Sequence, residues 1–243
     1  MLSRIRIILS HTTHPGNIGA CARAMKTMGL SQLILINPQD FPSQRATAMA
    51  SGADDILANA QVVSDLSQAL HGSFLVIGAS ARSRSLKWPL INPEQCAQQI
   101  LSLLPTQSGD IALLLGTEHS GLTNLELQHC QRHVNIPANP AYCSLNLAQA
   151  VQILAYEIRK AWLAKPLPMA ARTQPLANAQ QLEGFYLALQ QLLVDIQFLK
   201  PQQPRTLMAR LRRLFYRAEL DQQEINILRG MIRHLQQRLG RNV

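Results

Sequence analysis

The sequence predicts an α/β fold, a parallel sheet with helices on both faces, followed by a small all-α domain. Short apolar runs such as Ile5 to Ser10 and Ile111 to Leu115 alternate with helical stretches over the first two thirds of the chain. This alternation is typical of βαβ units, whose strands lie parallel. Beyond residue 179 only the helical period remains. We therefore expect a sheet domain over 1–165, a linker over 166–178 and a helical domain over 179–243.

The apolar runs of the first domain fit five or six strands. The candidate strands are Ile5–Ser10, Leu33–Asn37, Val62–Val63, Phe74–Gly78, Ile111–Leu115 and His133–Ile136. The candidate helices are Ile18–Met28, Gln44–Ser51, Ser64–Leu70, Pro93–Leu104, Asn124–Cys130 and a long helix that runs to about Ala164. Gly29 and Pro38 are the strongest stop signals between them, because glycine ends helices and proline breaks the strand ladder.

The long helix follows a turn at Asn139-Pro140, and Ser144 or Asn146 can cap it. Its apolar positions recur at steps of three and four: Leu147, Val151, Leu154, Ile158 and Trp162. The helical domain carries three comparable stripes. They are Leu182, Phe185, Leu189 and Leu192; then Leu207, Leu211, Leu214 and Ala218; then Ile225, Leu228, Ile232, Leu235 and Leu239. Three helices are therefore predicted there.

Charge and composition narrow the class of protein. The net charge is +9, and residues 166–243 carry 11 Lys/Arg against 5 Asp/Glu, whereas residues 1–165 carry 12 against 9. A basic surplus concentrated in one part of the chain favours a polyanionic partner, most often a nucleic acid. No apolar run reaches the ~18–20 residues of a membrane span, and the first residues lack a signal-peptide cleavage site. We therefore expect a cytoplasmic protein.

A metal site is not expected. The four cysteines form no C-x-x-C pair, and the cluster His129, Cys130 and His133 is interpreted as a helix end with incidental polar residues.

Two loops contain residue types that bind ligands or catalyse reactions. Gly116 to Thr123 follows a strand and precedes a helix, with the spacing G-x-x-x-x-G-x-T of a phosphate-binding loop. Leu122 stands where such a loop needs lysine, so a nucleotidase is disfavoured. The loop is then either a tight turn or a cofactor loop in which Gly116 permits close approach of a ligand. Arg23 lies in an otherwise apolar helix, where its guanidinium either extends to solvent or takes part in a functional site.

Three segments together resemble a known family. Asn17-x-Gly-x-x-Ala-Arg23, Gly116-x-Glu118-x-x-Gly-Leu and Ser144-Leu-Asn-Leu-Ala-x-Ala-Val resemble, in order and spacing, the three motifs of the SPOUT RNA methyltransferases that methylate ribose 2′-hydroxyls. The resemblance implies that the third segment threads a preceding loop to form a trefoil knot. Further likeness at Arg23–Leu30, Gly78–Arg84, Trp88-Pro89, Leu211–Phe215 and Asn226–Gly230 extends it over nearly the whole chain.

This likeness is to the bacterial branch acting at nucleotide 32 of the tRNA anticodon loop, on cytidine or uridine. It implies a homodimer that uses S-adenosyl-L-methionine. Carried over residue by residue, the resemblance implies catalytic roles for Arg23, Asn17, Glu118 and Ser144. It implies cofactor contacts at Ala79, Ser80, Ala81, Gly116, Ile136, Cys143, Ser144 and Leu145, and RNA contacts at Arg82, Arg84, Arg210, Arg213 and Arg217. Ala79 and Cys143 depart from the threonine and serine expected in the family.

Three alternatives stay open at this level. One is a non-catalytic RNA-binding protein on the same scaffold, which the presence of Arg23, Glu118 and Ser144 argues against. Another is 2′-O-methylation of a different RNA, such as rRNA. The third is a nucleotide-dependent enzyme, disfavoured by Leu122. For Glu118 itself we expect either a base whose pKa is raised by burial or a group that orients its neighbours.

Overall fold

The computed structural model describes residues 1–80, 90–164, 175–199 and 204–240. The chain divides into two compact units, Met1–Ala171 and Arg172–Val243. The strands of the first unit are β1 Ile5–Ser10, β2 Gln32–Ile36, β3 Gln61–Val63, β4 Ser73–Ala79, β5 Leu90–Ile91, β6 Asp110–Leu115 and β7 Arg132–Val134. Its helices are α1 Pro15–Met28, α2 Gln44–Ala50, α3 Asp54–Ala58, α4 Leu66–Leu70, α5 Pro93–Leu103, α6 Asn124–Gln128 and α7 Leu147–Leu163. No described helix is both long and apolar enough to cross a bilayer.

The strands form one sheet in the order β3-β2-β1-β6-β4-β7-β5. Every pairing in it is parallel, as the alternation of strands and helices predicts. The edge strand β5 was not predicted, because two residues are too few to give a periodic signal. The carboxyl ends of β4, β6 and β7, three adjacent strands, deliver their loops to the same edge of the sheet.

The centre of the sheet is fully apolar. In β1, Ile5, Ile7, Ile8 and Leu9 are completely buried, and the run Ile111–Leu115 of β6 is at most 2% exposed. Continuous burial of this kind requires cover on both faces, which is characteristic of parallel sheets. Each such side chain contributes about 1.5–3 kcal/mol by leaving water, so the middle strands form a rigid platform for the loops.

Helix α1 packs closely on α2 through a glycine. An added Cβ at Gly19 would lie 1.9 Å from the carbonyl oxygen of Ala46 and 2.9 Å from the backbone nitrogen of Ala50. Gly19 therefore lets α1 and α2 approach each other closely. Any larger side chain would force α1 and α2 apart.

Helix α7 begins with a capping box. Asn146 accepts a hydrogen bond from the backbone of Ala148, and Gln149 reaches back to the backbone of Asn146. The predicted apolar positions from Leu147 to Ile158 are buried. Trp162, predicted on the same stripe, is instead 42% exposed, and the Arg159 guanidinium lies 4.7 Å from the centre of its ring.

The described residues of the second unit form the three predicted helices: α8 Ala179–Asp195, α9 Pro204–Ala218 and α10 Gln222–Leu239. Asn178 and Asp221 cap α8 and α10 with complete capping boxes. The stripe predicted for α9 was wrong. Leu214 is 50% exposed, and the buried positions are Met208, Ala209, Arg212 and Tyr216. On α10, Ile225 and Ile232 are buried as predicted, whereas Leu235 is 50% and Leu239 37% exposed.

A buried ion pair explains the different face of α9. Arg212 is 9% exposed and donates two hydrogen bonds of 2.7 Å to the Glu183 carboxylate on α8. Its guanidinium also stacks 4.4 Å from the ring centre of Tyr186, whose ring meets Tyr216 edge-on. The sequence analysis predicted leucines on the buried face of α9 and gave Arg212 no role, so this inward-facing pair was not anticipated.

Candidate active site

A cavity of about 270 Å³ opens at the carboxyl edge of the sheet. Its wall combines the end of β4, the loop after β6, the end of β7 and the turn that leads into α7. The lining residues are Ala79, Ser80, Leu115, Gly116, Thr117, Glu118, His119, Ser120, Gly121, Val134, Ile136, Cys143, Ser144, Leu145, Leu147 and Ala150. The loops of a parallel sheet edge thus meet around one space, the usual place for ligands in α/β folds.

The residues predicted to hold the cofactor meet in this wall. The described ones, Ala79, Ser80, Gly116, Ile136, Cys143, Ser144 and Leu145, all line the cavity. Ala81 lies outside the described residues. The Ser80 backbone is fixed on both sides, since its N–H donates to Val134 O at 3.0 Å and its carbonyl accepts from Asn135 Nδ2 at 2.9 Å. The edge between β4 and β7 is therefore held rigid.

The loop after β6 is compact because of two glycines. A Cβ on Gly116 would lie 2.1 Å from the carbonyl carbon of Gly121 and 2.2 Å from the nitrogen of Leu122. Gly121 adopts φ 67°, a left-handed conformation that favours glycine. The absent Cβ of Gly116 makes room for its own loop, as the tight-turn reading predicts, while the contact of Gly116 with a cofactor stays a prediction. Gly121 N closes the turn by donating to Thr117 O at 2.9 Å.

Glu118 projects from this loop and ties it to the start of α1. Its carboxylate accepts four hydrogen bonds: from Thr13 N at 3.1 Å, Thr13 Oγ1 at 3.0 Å, His14 N at 3.2 Å and Asn17 Nδ2 at 3.0 Å. Thr13 and His14 immediately precede α1, so their N–H groups lie at the positive end of the helix dipole, where a carboxylate is a favourable acceptor. Glu118 thus joins two segments about a hundred residues apart.

The same hydrogen bonds set the protonation state of Glu118. Partial desolvation acts to raise the pKa, but the hydrogen bonds from Asn17, Thr13 and His14 outweigh it and lower the pKa to about 2. Glu118 is therefore a carboxylate throughout the physiological range. The hypothesis that burial raises the pKa of Glu118 and makes it a base was wrong, and the alternative of an orienting group fits.

Asn17 extends this connection to the third motif. Its side-chain nitrogen donates to Glu118 at 3.0 Å, and its side-chain oxygen accepts from Asn146 Nδ2 at 3.0 Å. Asn146 also caps α7. One chain of hydrogen bonds, Glu118–Asn17–Asn146, therefore joins all three motifs that the sequence singled out.

Three of the four predicted catalytic residues lie together around Glu118, and the fourth, Arg23, lies apart from them. Asn17 and Glu118 touch, and Ser144 shares the cavity wall with Glu118. Arg23 lies exposed on α1, about 9 Å further along the helix axis than Asn17. It is not among the cavity-lining residues. No hydrogen bond or ion pair joins its guanidinium to another described residue.

Two imidazoles stand beside the Glu118 carboxylate. His14 and His119 are both exposed, and their ring centres are 6.2 Å apart in an edge-on arrangement. Among the predicted RNA-contacting residues, Arg210 and Arg217 are exposed on α9 and Arg213 is half-buried. Arg82 and Arg84 lie outside the described residues.

Two side chains of the histidine–cysteine cluster lie against backbone carbonyl oxygens. His133 Nε2 lies 3.2 Å from Leu127 O, and Cys130 Sγ lies 3.4 Å from Glu126 O. Within the described ranges no group of three or more His, Cys, Asp or Glu is arranged to hold a metal ion.

Sequence reasoning missed Thr13, His14 and the structural role of Asn146. Thr13 and His14 contribute backbone N–H groups, which every non-proline residue has, and the Thr13 hydroxyl that also donates to Glu118 carries no signal in the sequence. Asn146 was recognised only as a helix cap. Its second bond, to Asn17, spans 129 positions and has no local signature.

Comparison with known families covers nearly the whole chain. Residues 4–156 match the SpoU rRNA Methylase family, and residues 180–243 match the C-terminal domain of the tRNA methyltransferase TrmJ. The first match spans the sheet unit with its cavity, and the second spans the three helices of the other unit.

Individual relatives agree over their full lengths. The chain is 51% identical to the tRNA (cytidine/uridine/adenosine-2′-O-)-methyltransferase TrmJ of Pseudomonas aeruginosa, covering 97% of this chain and 95% of the relative. It is 49% identical to the tRNA (cytidine/uridine-2′-O-)-methyltransferase TrmJ of Klebsiella pneumoniae, with 98% of each chain covered. Among solved structures, TrmJ of Z. mobilis superposes with a TM-score of 0.82 at 32% identity, over 95% of this chain and 98% of that one. The chain therefore belongs to the SpoU family of RNA methylases and carries the C-terminal domain of its TrmJ members.

Proposed function

We propose that this chain methylates the ribose 2′-hydroxyl of cytidine or uridine at position 32 in the tRNA anticodon loop, with S-adenosyl-L-methionine as methyl donor. One observation supports this above the others. The seven described residues predicted for the cofactor line a single cavity, and the Glu118–Asn17–Asn146 chain of hydrogen bonds joins the three motifs at its edge. The TrmJ relatives, similar over nearly their whole length, carry the same named activity.

The cavity suits the proposed cofactor. Ala79, Gly116, Ile136 and Leu145 offer small or apolar surface for an adenine ring, while Ser80 and Ser144 add hydroxyl groups. Cofactor sites are mostly apolar with a few placed polar groups, which is the balance seen here. When bound, S-adenosyl-L-methionine would supply an electrophilic methyl group. Cys143 can replace a serine in the cavity wall with little loss of cofactor affinity, provided that its backbone makes the contact.

Arg23 is the proposed catalytic cation. A ribose hydroxyl is a weak nucleophile at neutral pH, so it needs alignment and stabilisation of the developing alkoxide. A guanidinium stays protonated and therefore cannot act as a base. It can instead hold a backbone phosphate and the hydroxyl together through its fork of donors. Its exposure on α1, without a described partner, leaves those donors available to RNA.

Glu118 is proposed as a positioning residue. With a pKa of about 2 it is a poor acceptor for the hydroxyl proton, which we assign to bulk water as the alkoxide develops beside Arg23. Its carboxylate fixes the start of α1 and the amide of Asn17, and through that amide the start of α7. Ser144, beside it in the wall, is proposed to position the 2′-hydroxyl or to contact the cofactor.

The helical unit is the proposed tRNA-binding domain. Arg210, Arg213 and Arg217 recur at three- and four-residue steps along one side of α9. Such a row provides phosphate contacts that add affinity without sequence choice. We assign the same role to Arg82 and Arg84. The boundary between a methyltransferase domain, 1–165, and this domain, 179–243, is part of the proposal.

We further propose that the enzyme is a homodimer in the cytoplasm and that 139–155 forms a trefoil knot. An apolar surface on α7 supports self-association. Tyr156 is 52%, Trp162 42% and Leu163 65% exposed, and large exposed apolar patches usually mark interaction sites. A tRNA substrate supports the cytoplasm, and the resemblance to SPOUT enzymes supports the knot.

Mass-spectrometric mapping of 2′-O-methyl nucleosides tests the function. Purified full-length protein is incubated with S-adenosyl-L-methionine and either tRNA or rRNA. We expect methylation at C32 or U32 of tRNA and none of rRNA. Marks on rRNA alone would favour the other substrate. Cofactor binding by calorimetry without any methyl transfer would instead identify a non-catalytic RNA-binding protein.

A further inference from the structure

Tyr142 is an aromatic residue whose side chain the fold leaves in water. It is 79% exposed, whereas Tyr186 is fully buried and Tyr216 is 5% exposed. Folded chains usually pack a tyrosine ring against other side chains, because the ring is large and mostly apolar. Among the described residues, none forms a ring contact or a side-chain hydrogen bond with Tyr142. Both faces of the ring are therefore available to a ligand.

The backbone of Tyr142 is held in place by a tight turn. The Tyr142 N–H donates to Asn139 O at 2.9 Å, and the Ala141 N–H donates to the Asn139 side-chain oxygen at 3.0 Å. Asn139 and Tyr142 also form an isolated antiparallel bridge. A side chain on a backbone that is already fixed loses less conformational freedom on binding than one on a mobile loop. The turn thus presents the ring as a preorganised surface.

This turn lies at the rim of the cavity proposed for the cofactor. Cys143 and Ser144, the next two residues, line that cavity, whereas Tyr142 itself does not. Two residues of chain span at most about 7 Å, so the Cα atoms of Tyr142 and Ser144 are no further apart than that. The ring therefore stands outside the space proposed for S-adenosyl-L-methionine but within one nucleoside length of its wall.

The proposed reaction requires a second contact at about this distance. The base and the 2′-hydroxyl of a nucleoside are attached to neighbouring carbon atoms of the ribose, so a protein that positions the hydroxyl also meets the base. Enzymes that act on one nucleotide of a stacked strand first take it out of the stack. Unstacked bases are then held on the faces of aromatic side chains. Ser144 is proposed to meet the hydroxyl, and Tyr142 supplies an aromatic ring two positions away.

We propose that the ring of Tyr142 stacks on the target base, that of nucleotide 32, once this base has left the stack of the anticodon loop. The inference rests on the proposed function, and it adds the contact that holds the base while Arg23 acts on the ribose. Every base has a π-face, so stacking accepts cytosine and uracil alike. Tyr142 thus fixes the position of the nucleoside and does not select between the two bases.

Substitutions at Tyr142 test the stacking in steady-state methyl transfer by the full chain. Tyr142→Phe keeps the ring and should retain most of kcat/KM. Tyr142→Leu keeps apolar bulk without a π-face and should lower kcat/KM about 10–100-fold, the loss expected for one stack of a base on an aromatic ring. Calorimetry should give the same affinity for S-adenosyl-L-methionine in both variants. A Tyr142→Leu chain as active as wild type, or one that loses cofactor affinity instead, would overturn the proposal.

A tRNA without the base at position 32 identifies what the ring contacts. This abasic substrate keeps the ribose 2′-hydroxyl but gives Tyr142 no base on which to stack. Wild type should methylate it about 10–100-fold less efficiently than intact tRNA. Tyr142→Leu should lose little more on the abasic substrate, because both changes remove the same contact. If the two losses multiply, the ring does not stack on base 32.

The matched control is Phe198→Leu, because Phe198 is an aromatic residue of the helical unit that is 67% exposed. Any effect of this substitution should be equal on intact and abasic tRNA, since Phe198 is not assigned a contact with nucleotide 32. Wild type that methylates no tRNA would reject the proposed function and the stacking with it. Normal wild-type methylation with an unaffected Tyr142→Leu would reject the stacking alone.

Discussion

Glu118 accepts hydrogen bonds from two backbone N–H groups, one hydroxyl and one amide, so its role depends on its charge. Glu118→Gln keeps the size but turns half of the acceptor into a donor that faces other donors. We expect turnover to fall about 10–100-fold while cofactor affinity changes little. Steady-state methyl transfer and calorimetry would measure the two effects, and a loss confined to cofactor affinity would contradict the positioning role.

The difference in stability between wild type and Glu118→Gln should depend on pH. The pKa of Glu118 is lowered from 4.5 to about 2, so its stabilising effect is complete above the unfolded value and is lost as the pH falls from 4.5 toward 2. Since the group is partly solvated, we expect only about 1 kcal/mol at neutral pH. Thermal unfolding of wild type and Glu118→Gln should converge in acid. A difference that stays constant with pH would show that the charge is not responsible.

Arg23→Ala tests the catalytic cation. We expect methyl transfer to fall by about 10²–10³-fold, the usual loss when a charge-stabilising donor is removed, with cofactor binding preserved. Lys26→Ala is the control, because Lys26 is an exposed cation on the same helix that pairs with Asp55 at 2.8 Å. Unchanged turnover in Arg23→Ala, or an equal loss in Lys26→Ala, would remove Arg23 from the mechanism.

The positions of some single residues could be predicted from the sequence, whereas the partners of others could not. Ser80, Gly116 and Ser144 were placed in the right wall, because the ends of adjacent parallel strands must meet at one edge. Their contact with a cofactor stays a prediction. The partners of Glu118 could not be predicted, since they depend on how α1 and the loop after β6 approach. The pKa of Glu118 depends on those partners, and its direction was therefore predicted incorrectly.

On the scale of elements, α9 combines two functions on opposite faces. Its inner face carries Arg212 in the pair with Glu183, and its outer face carries Arg210 and Arg217. Periodicity alone located the helix but selected the wrong buried side, because it treated leucines as inside and arginines as outside. The Tyr186 and Tyr216 rings, together with the ion pair, occupy the space that Leu214 was expected to fill.

The half-buried pair predicts a measurable stability effect. Arg212→Met should destabilise the protein by about 1–3 kcal/mol, because the Glu183 carboxylate, whose side chain is 31% exposed, loses both hydrogen bonds from the guanidinium. Replacing both residues, as Arg212→Met with Glu183→Leu, should recover most of the loss, since neither charge remains buried. Chemical denaturation followed by circular dichroism measures both. Equal destabilisation in single and double variants would indicate that packing, rather than charge, dominates.

The outer face of α9 predicts the salt dependence of tRNA binding. Replacing Arg210, Arg213 and Arg217 together by Gln should weaken binding and reduce the slope of log affinity against log salt by about 2–3. A matched control replaces the three arginines of α10, Arg229, Arg233 and Arg238, which removes the same charge from another helix. If both triple variants change the slope equally, the α9 arginines contribute no more to tRNA binding than those of α10.

At the scale of the whole molecule, we expect the sheet unit to carry out the chemistry and the helical unit to provide affinity for tRNA. Deleting residues 166–243 should leave the cofactor cavity folded, because every residue that lines it precedes residue 151. Affinity for tRNA should fall by about 10–100-fold, as a basic surface is lost. Calorimetry with S-adenosyl-L-methionine and filter binding with tRNA separate the two. Full tRNA affinity in the shortened protein would reject this division of labour.

Assembly is harder to predict than the fold. The fold class could be predicted from alternating elements, whereas assembly depends on surface side chains that periodicity does not distinguish. The exposed Tyr156, Trp162 and Leu163 of α7 form the proposed contact between two chains. Sedimentation of the full chain would measure whether it forms that dimer.

The bond between Asn17 and Asn146 joins the beginning of the sheet unit to its last helix. During translation, α1 leaves the ribosome long before α7 is synthesised. The Asn17 side chain therefore cannot yet bond to Asn146. Topologies dominated by contacts between distant residues fold slowly, since a long loop must lose entropy by closing before the contact stabilises it. A nascent chain is consequently expected to be inert toward its substrate until the final helix has been synthesised and docked.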